Sequence, residues 1–159
     1  METTLTKHER NLGAAIHASV FSKFFIPFGN FIIPLVLWTV NKQQSQFIDH
    51  NGKQALNFQI SILLYSIVSG IITIPFVVGF FPEIFDFGFF GFDRFNDFNT
   101  FDMNFGDNFP FGTWLLPVGL AGLFQVVLFL VNLVYTILAT LRANEGQVFE
   151  YPLTIKFIR

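Results

Sequence analysis

Two long stretches without a charged residue, 55–81 and 114–141, constrain the fold of this chain more than any other feature. As α-helices rising 1.5 Å per residue, each would be roughly 40 Å long, compared with about 30 Å of bilayer hydrocarbon. Lipid offers the backbone no hydrogen-bond partners, so spanning segments are helices or strands of a closed barrel, and barrel strands are far shorter. The sequence therefore predicts two transmembrane helices, 50–81 and 114–142.

The composition agrees with a membrane protein. Of 159 residues, 52% are hydrophobic and 13% are charged, and the mean hydropathy is +0.55, which is more apolar than a typical soluble domain. We predict an all-α integral membrane protein with a single domain, 1–159, and the lipid bilayer as its first partner. A net charge of −2 gives no reason to expect a nucleic acid. The absence of cysteine excludes thiol catalysis, disulfides and thiolate metal sites.

The first apolar region, 11–41, does not have the pattern of an ordinary span. Lys23 lies near its middle, and Pro27, Gly29, Asn30 and Pro34 follow closely. Because proline removes a backbone donor and disfavours helix, we predict a turn at 26–30 between two short helices, about 12–25 and 31–40. This broken helical hairpin either enters and leaves one side of the membrane, packed against the long helices, or crosses a thinned bilayer twice.

Charge placement predicts the orientation. The basic residues outside the apolar regions lie in the N-terminal segment, the loop near residues 41–54 and the C-terminal tail, except for Arg94, which lies in the otherwise acidic segment 82–113. The positive-inside rule then places both termini and the 41–54 loop in the cytoplasm and 82–113 outside. A single crossing by the first region would instead put Lys42 and Lys53 opposite the N-terminus.

The external loop, 82–113, is a low-complexity segment of Phe, Asp, Asn and Gly. We expect its rings to enter the membrane interface and its carboxylates to face water, with some self-association. A calcium site would need the alternating ligand spacing of an EF-hand loop, which the segment lacks. The sequence therefore predicts no metal site and no cofactor.

Polar residues inside the apolar regions are the candidate sites. Such groups either bond neighbouring helices or line a polar pathway, and the candidates for both roles are His17, Lys23, Gln125 and Asn132. A second set forms a candidate cytoplasmic polar face at the start of the first long helix, where it either bonds the hairpin or headgroups or forms a vestibule or docking surface: Asp49, His50, Gln54 and Asn57.

Helix ends have recognisable signals. Thr6 and Glu9 have the spacing of a capping box, which predicts a helix start near Lys7. Asp49 or Asn51 is expected to cap the first long helix. Gly146 is expected to end the second. The tail beyond it, 146–159, alternates apolar and polar residues, which predicts an ordered extended segment on the cytoplasmic surface or against the helices.

Three blocks of sequence carry a family resemblance. They run from His17 through Pro27 and Pro34 to Trp38, from Asp49 to Gln59, and from Arg142 to Ile155. Together they resemble the Tic-twenty-like family of small, mostly uncharacterised bacterial membrane proteins, which is distantly similar to a chloroplast inner-envelope protein-import channel subunit. The resemblance implies a compact helical domain in the bacterial inner membrane and a part in moving something across it.

Three function classes follow. The first is a multi-pass protein that forms a pore or a protein-translocation component, assembled with itself or with other membrane proteins. The alternative is a structural or accessory subunit that binds other membrane proteins without transport. An enzyme is not expected, because no nucleophile elbow, phosphate-binding loop, zinc motif or close carboxylate pair is present and no catalytic residue is predicted.

Overall fold

The computed structural model describes residues 5–80 and 111–158, and those residues form four α-helices and no strand. Helix α1 is Lys7–Ala18, followed by a 3₁₀ helix, Ser19–Phe24; α2 is Gly29–Asn41, α3 is Gln46–Phe80 and α4 is Phe111–Asn144. The all-α prediction is confirmed for this part of the chain. The expectations for the Phe-rich loop concern residues up to 110, which lie outside the part of the chain that the structure describes.

The N-terminal hairpin begins as the sequence predicts and is broken near Pro27, although Gly29 and Asn30 of the predicted turn belong to α2. Thr6 caps α1, accepting from the Glu9 N–H at 3.2 Å, while the Glu9 carboxylate accepts from the Thr6 N–H at 2.7 Å. Residues 25–28 separate the 3₁₀ helix from α2, with Phe28 in the left-handed region at φ 59°. Pro34 lies inside α2.

Helix α3 starts earlier than expected, and its predicted caps are wrong. The Ser45 hydroxyl accepts from the Phe47 N–H at 3.1 Å, and the Asp49 N–H donates to the Ser45 carbonyl at 3.1 Å. Ser45 thus caps the first turn. Asp49 and Asn51 lie inside the helix, where tertiary partners occupy their side chains.

The end of α4 is confirmed. Gly146 has φ 79°, the Gly146 N–H donates to the Ala143 carbonyl at 3.0 Å, and the Gln147 N–H donates to the Arg142 carbonyl at 2.9 Å. This pair of bonds is a Schellman motif, which satisfies carbonyls that the helix end leaves free.

Two helices are long and apolar enough to cross a membrane: Gln46–Ile74 within α3 and Val118–Asn144 within α4. The chain divides into two compact units, residues 1–65 with 127–159, and residues 66–126. In the first unit, small clusters of buried side chains join the elements. One contains Ile16, Ile48 and Ala55, and another contains Phe58, Ala139 and Tyr151.

Gly52 of α3 packs against Trp38 of α2. A Cβ at this position would overlap the indole of Trp38. Gly52→Ala is therefore expected to lower the free energy of unfolding by about 1–3 kcal/mol, because an overpacked contact forces neighbouring side chains or backbone to shift. Reversible unfolding in mixed micelles measures the change.

Gly70→Ala is the matched control for Gly52→Ala. Gly70 also lies inside α3, but no described atom comes within 4 Å of where its Cβ would stand. Alanine there should be neutral or stabilise the helix by up to about 1 kcal/mol. Equal destabilisation by both substitutions would contradict the packing role of Gly52.

Candidate functional site

A buried chain of hydrogen bonds links α1, α3 and the C-terminal tail. His17 has no exposed surface; its Nε2 lies 2.8 Å from Asn51 Oδ1 and its Nδ1 lies 2.9 Å from the Tyr151 hydroxyl. Because Asn51 Nδ2 donates to the Phe47 carbonyl at 2.8 Å, its Oδ1 is left to accept. His17 is then the neutral Nε2–H tautomer, and its Nδ1 accepts from Tyr151.

Burial sets the charge of His17. Removal from water lowers its pKa to about 4; the bond to Asn51 opposes this shift, and the nearby His50 adds to it. The imidazole is therefore uncharged at neutral pH. Both of its ring nitrogens are hydrogen-bonded, so His17 connects α1 to α3 and to the tail.

The tail packs on α3 through side chain to backbone bonds. Gln54, Asn57, Ser61 and Tyr65 all accept from or donate to tail backbone atoms of residues 151–158. Tyr151 also stacks on Phe58, with ring centroids 4.1 Å apart. Two members of the predicted cytoplasmic polar face, Gln54 and Asn57, are thus bonded to the chain's own tail.

The two other members of the predicted cytoplasmic face have different surroundings. The Asp49 carboxylate accepts from Trp38 Nε1 at 2.8 Å and pairs with Lys53 at 2.5 Å, which ties α2 to α3. His50 is half-buried, and its Nε2 has no hydrogen-bond partner in the part of the chain described. Of the four predicted residues, Gln54 and Asn57 bind the tail and Asp49 joins two helices. His50 keeps one ring nitrogen without a partner among the described residues.

A second polar cluster lies between the hairpin, α3 and α4. Lys23 Nζ donates to Asn132 Oδ1 at 3.1 Å and lies 5.4 Å and 5.6 Å from the ring centroids of Phe24 and Phe129. Gln59 Oε1 accepts from Asn30 at 3.1 Å and from Asn132 at 3.0 Å. Interhelical amide bonds of this kind join elements in an apolar setting.

Gln125 lies in the other compact unit. Its Nε2 donates to the Ser66 carbonyl at 3.3 Å, and the Ser66 hydroxyl donates to its Oε1 at 3.1 Å. His17, Lys23, Gln125 and Asn132 therefore do not form one site: Lys23 and Asn132 are bonded to each other, whereas His17 and Gln125 belong to separate networks. Each joins two elements, as packing residues do.

Sequence reasoning missed the roles of Tyr151 and Gln59. Gln59 is an amide inside the uncharged stretch 55–81, so the argument that selected Gln125 and Asn132 applied to it equally. No comparable signal existed for Tyr151, because its partner His17 lies 134 positions away in the sequence. Within the described residues, no group of three or more His, Asp or Glu side chains could hold a metal ion.

Comparison with known proteins identifies the family. A family model described as the magnetosome magnetite crystal formation protein family, MamF/MmsF, matches residues 8–158. The chain belongs to the MamF/MmsF family. No curated protein and no solved structure gives a significant match.

The MamF/MmsF match shows that the resemblance to the Tic-twenty-like family is wrong, and the translocation role that it implied has no support. The residues that carried that resemblance have structural tasks here: Asp49 binds Trp38, Gln54 binds the tail and Gly146 ends α4. Motifs with such tasks indicate how a small helical protein packs. They do not distinguish between small helical proteins of different function.

Proposed function

We propose that this chain is a non-enzymatic protein of the magnetosome membrane that acts in magnetite crystal formation by presenting its acidic segment, 82–113, to iron. The observation that carries the proposal is the MamF/MmsF match over residues 8–158, which includes the whole of that segment. Magnetite is an iron oxide, so a protein that affects its crystallisation needs groups that bind iron ions or the oxide surface.

The sequence concentrates suitable groups in this one segment. Carboxylate oxygens are preferred ligands of hard cations. Arg94 is the only basic residue between the two long helices. The acidic residues there are Glu83, Asp86, Asp93, Asp97, Asp102 and Asp107.

The proposal also includes a side of the membrane for this segment. Because α3 and α4 are each long enough to span, the segment between them would emerge on one face, and the termini would emerge on the other. The positive-inside rule assigns the termini to the cytoplasm, and the acidic segment to the side on which we place the crystal. The hydrogen bonds of His17, Asn51 and Tyr151 then serve to hold the scaffold together.

The test compares carboxylates inside and outside the segment. Full-length protein in phospholipid vesicles is mixed with magnetite particles, and co-sedimentation is measured for wild type and for a variant with all six acids of the segment replaced by Asn or Gln. We expect binding to weaken by about tenfold or more, which corresponds to about 1.4 kcal/mol. The same variant in a magnetosome-forming cell is expected to alter crystal size in electron micrographs.

A charge-matched pair supplies the control. Asp97→Asn with Asp102→Asn removes two carboxylates from the segment, and Glu145→Gln with Glu150→Gln removes two exposed ones after α4. Only the first pair should weaken binding. If the six-fold variant inserts normally and binds magnetite as wild type does, the proposed role of the segment is wrong.

A further inference from the structure

We propose that the end of the C-terminal tail, residues 151–158, is a re-entrant membrane segment that enters one leaflet beside α3 and turns an apolar ridge toward lipid acyl chains. The ridge consists of Leu153, Ile155 and Phe157. The inference rests on the membrane crossing of α3 proposed above. Of the two positions expected for the tail, on the cytoplasmic surface or against the helices, it develops the second.

The tail's hydrogen bonds locate it along α3. The Tyr65 hydroxyl donates to the Leu153 carbonyl at 2.8 Å. Tyr65 lies ten residues beyond Ala55, where the uncharged stretch of α3 begins, which is about 15 Å along a helix axis. This distance is about half of a 30 Å hydrocarbon core. Leu153 is therefore far from the polar start of α3.

The path of the tail reverses at its deepest point. Tyr151 lies beside Gln54, its N–H 3.4 Å from the amide oxygen, and residues 152–153 form a turn in which Leu153 has φ 60°. The chain then returns along α3. The Ile155 N–H donates to the Ser61 hydroxyl at 2.8 Å, and Ile158 pairs with Asn57. Entry and exit are on the same side, as in a re-entrant segment.

Helix α3 supplies the hydrogen bonds that such a segment needs. Non-helical backbone at membrane depth requires protein partners, because lipid provides none. Asn57, Ser61 and Tyr65 recur every four residues and so share one face of α3. Asn57 both donates to the Ile158 carbonyl at 2.9 Å and accepts from its N–H at 2.8 Å. At the turn, Pro152 has no N–H to satisfy.

The outward side of the tail is apolar. Leu153 is 70% exposed, Ile155 40% and Phe157 49%. Exposed apolar side chains of this kind are unfavourable in water and favourable against acyl chains. Lys156 is exposed beside it, near the level at which the tail leaves the membrane, and its long stem can carry the ammonium group to the headgroups. These features favour lipid as the occupant over the cytoplasm.

The natural absence of cysteine makes a site-specific test direct. Single cysteines replace Leu153, Gln147 and Ile72, and each is labelled with the fluorophore NBD in full-length protein reconstituted into phosphatidylcholine and phosphatidylglycerol vesicles. Gln147 is an exposed position after α4, and Ile72 is an exposed position of α3. Doxyl-labelled lipids report contact with acyl chains, and iodide reports contact with water.

We expect the Leu153 label to behave like the Ile72 label. Doxyl lipids should quench both, and iodide should quench both roughly fivefold less than it quenches the Gln147 label, since iodide does not enter the hydrocarbon. If Leu153 is as accessible to iodide as Gln147 while Ile72 remains in lipid, the re-entrant tail is overturned and the membrane crossing stands. If Ile72 is also in water, the crossing itself fails, and the tail proposal fails with it.

A tail-release variant tests the role of α3. Asn57→Ala with Ser61→Ala removes three hydrogen bonds to the tail backbone, whereas Ser69→Ala alters a serine of α3 for which no tail contact is found in the described residues. The first variant should raise iodide quenching at Leu153 severalfold and leave Ile72 unchanged. Ser69→Ala should change neither. Equal responses of Leu153 to both variants would contradict docking through Asn57 and Ser61.

Discussion

Replacing Tyr151 with alanine is expected to lower the free energy of unfolding by about 3–5 kcal/mol, the range found when large buried aromatic side chains are truncated. Tyr151 is 5% exposed, its ring stacks on Phe58, and Phe149 approaches it edge-on at 5.2 Å between centroids. Truncation would leave a cavity among these rings and remove the hydroxyl that His17 Nδ1 accepts from. Reversible unfolding in mixed micelles, followed by near-UV circular dichroism, measures the loss.

Tyr151→Phe separates the hydroxyl from the ring. It keeps the stacking and leaves His17 with one buried acceptor unpaired, so we expect a cost of about 1–2 kcal/mol. Tyr135→Phe is the matched control, because no hydrogen bond of the Tyr135 hydroxyl is found in the described part of the chain although its ring also faces Phe149. The assignment of Tyr151 as the anchor of the tail fails if Tyr151→Ala costs no more than Tyr135→Phe.

The contrast between Tyr151 and α3 shows what the sequence can predict in a chain like this. Length and the absence of charge predict α3 and α4, because in lipid an apolar stretch this long satisfies its backbone hydrogen bonds as a helix. The helix caps at Thr6 and Gly146 also depend on neighbouring residues, and both predictions are confirmed. Such features depend on residues within one or two turns of each other.

The tail is predicted only in part, because its partners are distant in the sequence. Its ordered path against the helices agrees with the prediction, whereas a single apolar face does not. Its alternating pattern predicts one apolar face, including both Tyr151 and Leu153, yet Tyr151 is buried and Leu153 is 70% exposed. The turn at 152–153 changes the side that the chain presents, and no local signal in the sequence required Leu153 to adopt a positive φ. Long-range partners on α3 determine the path.

The family assignment was limited in a similar way. The blocks that suggested the Tic-twenty-like family are rich in Pro, Gly and amides, and these residues position helices in this structure. The acidic, Phe-rich segment, 82–113, lies outside those blocks. In the function proposed above, this segment supplies the carboxylates that contact iron.

The second prediction with a large expected effect is that the free energy of unfolding decreases in mild acid. Burial holds the pKa of His17 near 4, below its ordinary value of 6.5. The unfolded chain therefore takes up a proton more readily than the folded chain, and stability falls as pH decreases from about 6.5 to about 4. A shift of this size corresponds to about 3 kcal/mol at the acidic end. Above about pH 6.5, His17 is neutral in both the folded and the unfolded chain, so this loss of stability is absent.

His17→Gln isolates this contribution from the carboxylates that also titrate in acid. Glutamine can donate to Asn51 and accept from Tyr151 but does not ionise. The difference in unfolding free energy between wild type and H17Q should therefore shrink or reverse as pH falls from 6.5 to 4. A difference between wild type and H17Q that stays constant with pH would mean that His17 is not held neutral, and the hydrogen bond from Tyr151 to its Nδ1 would have to be reassigned.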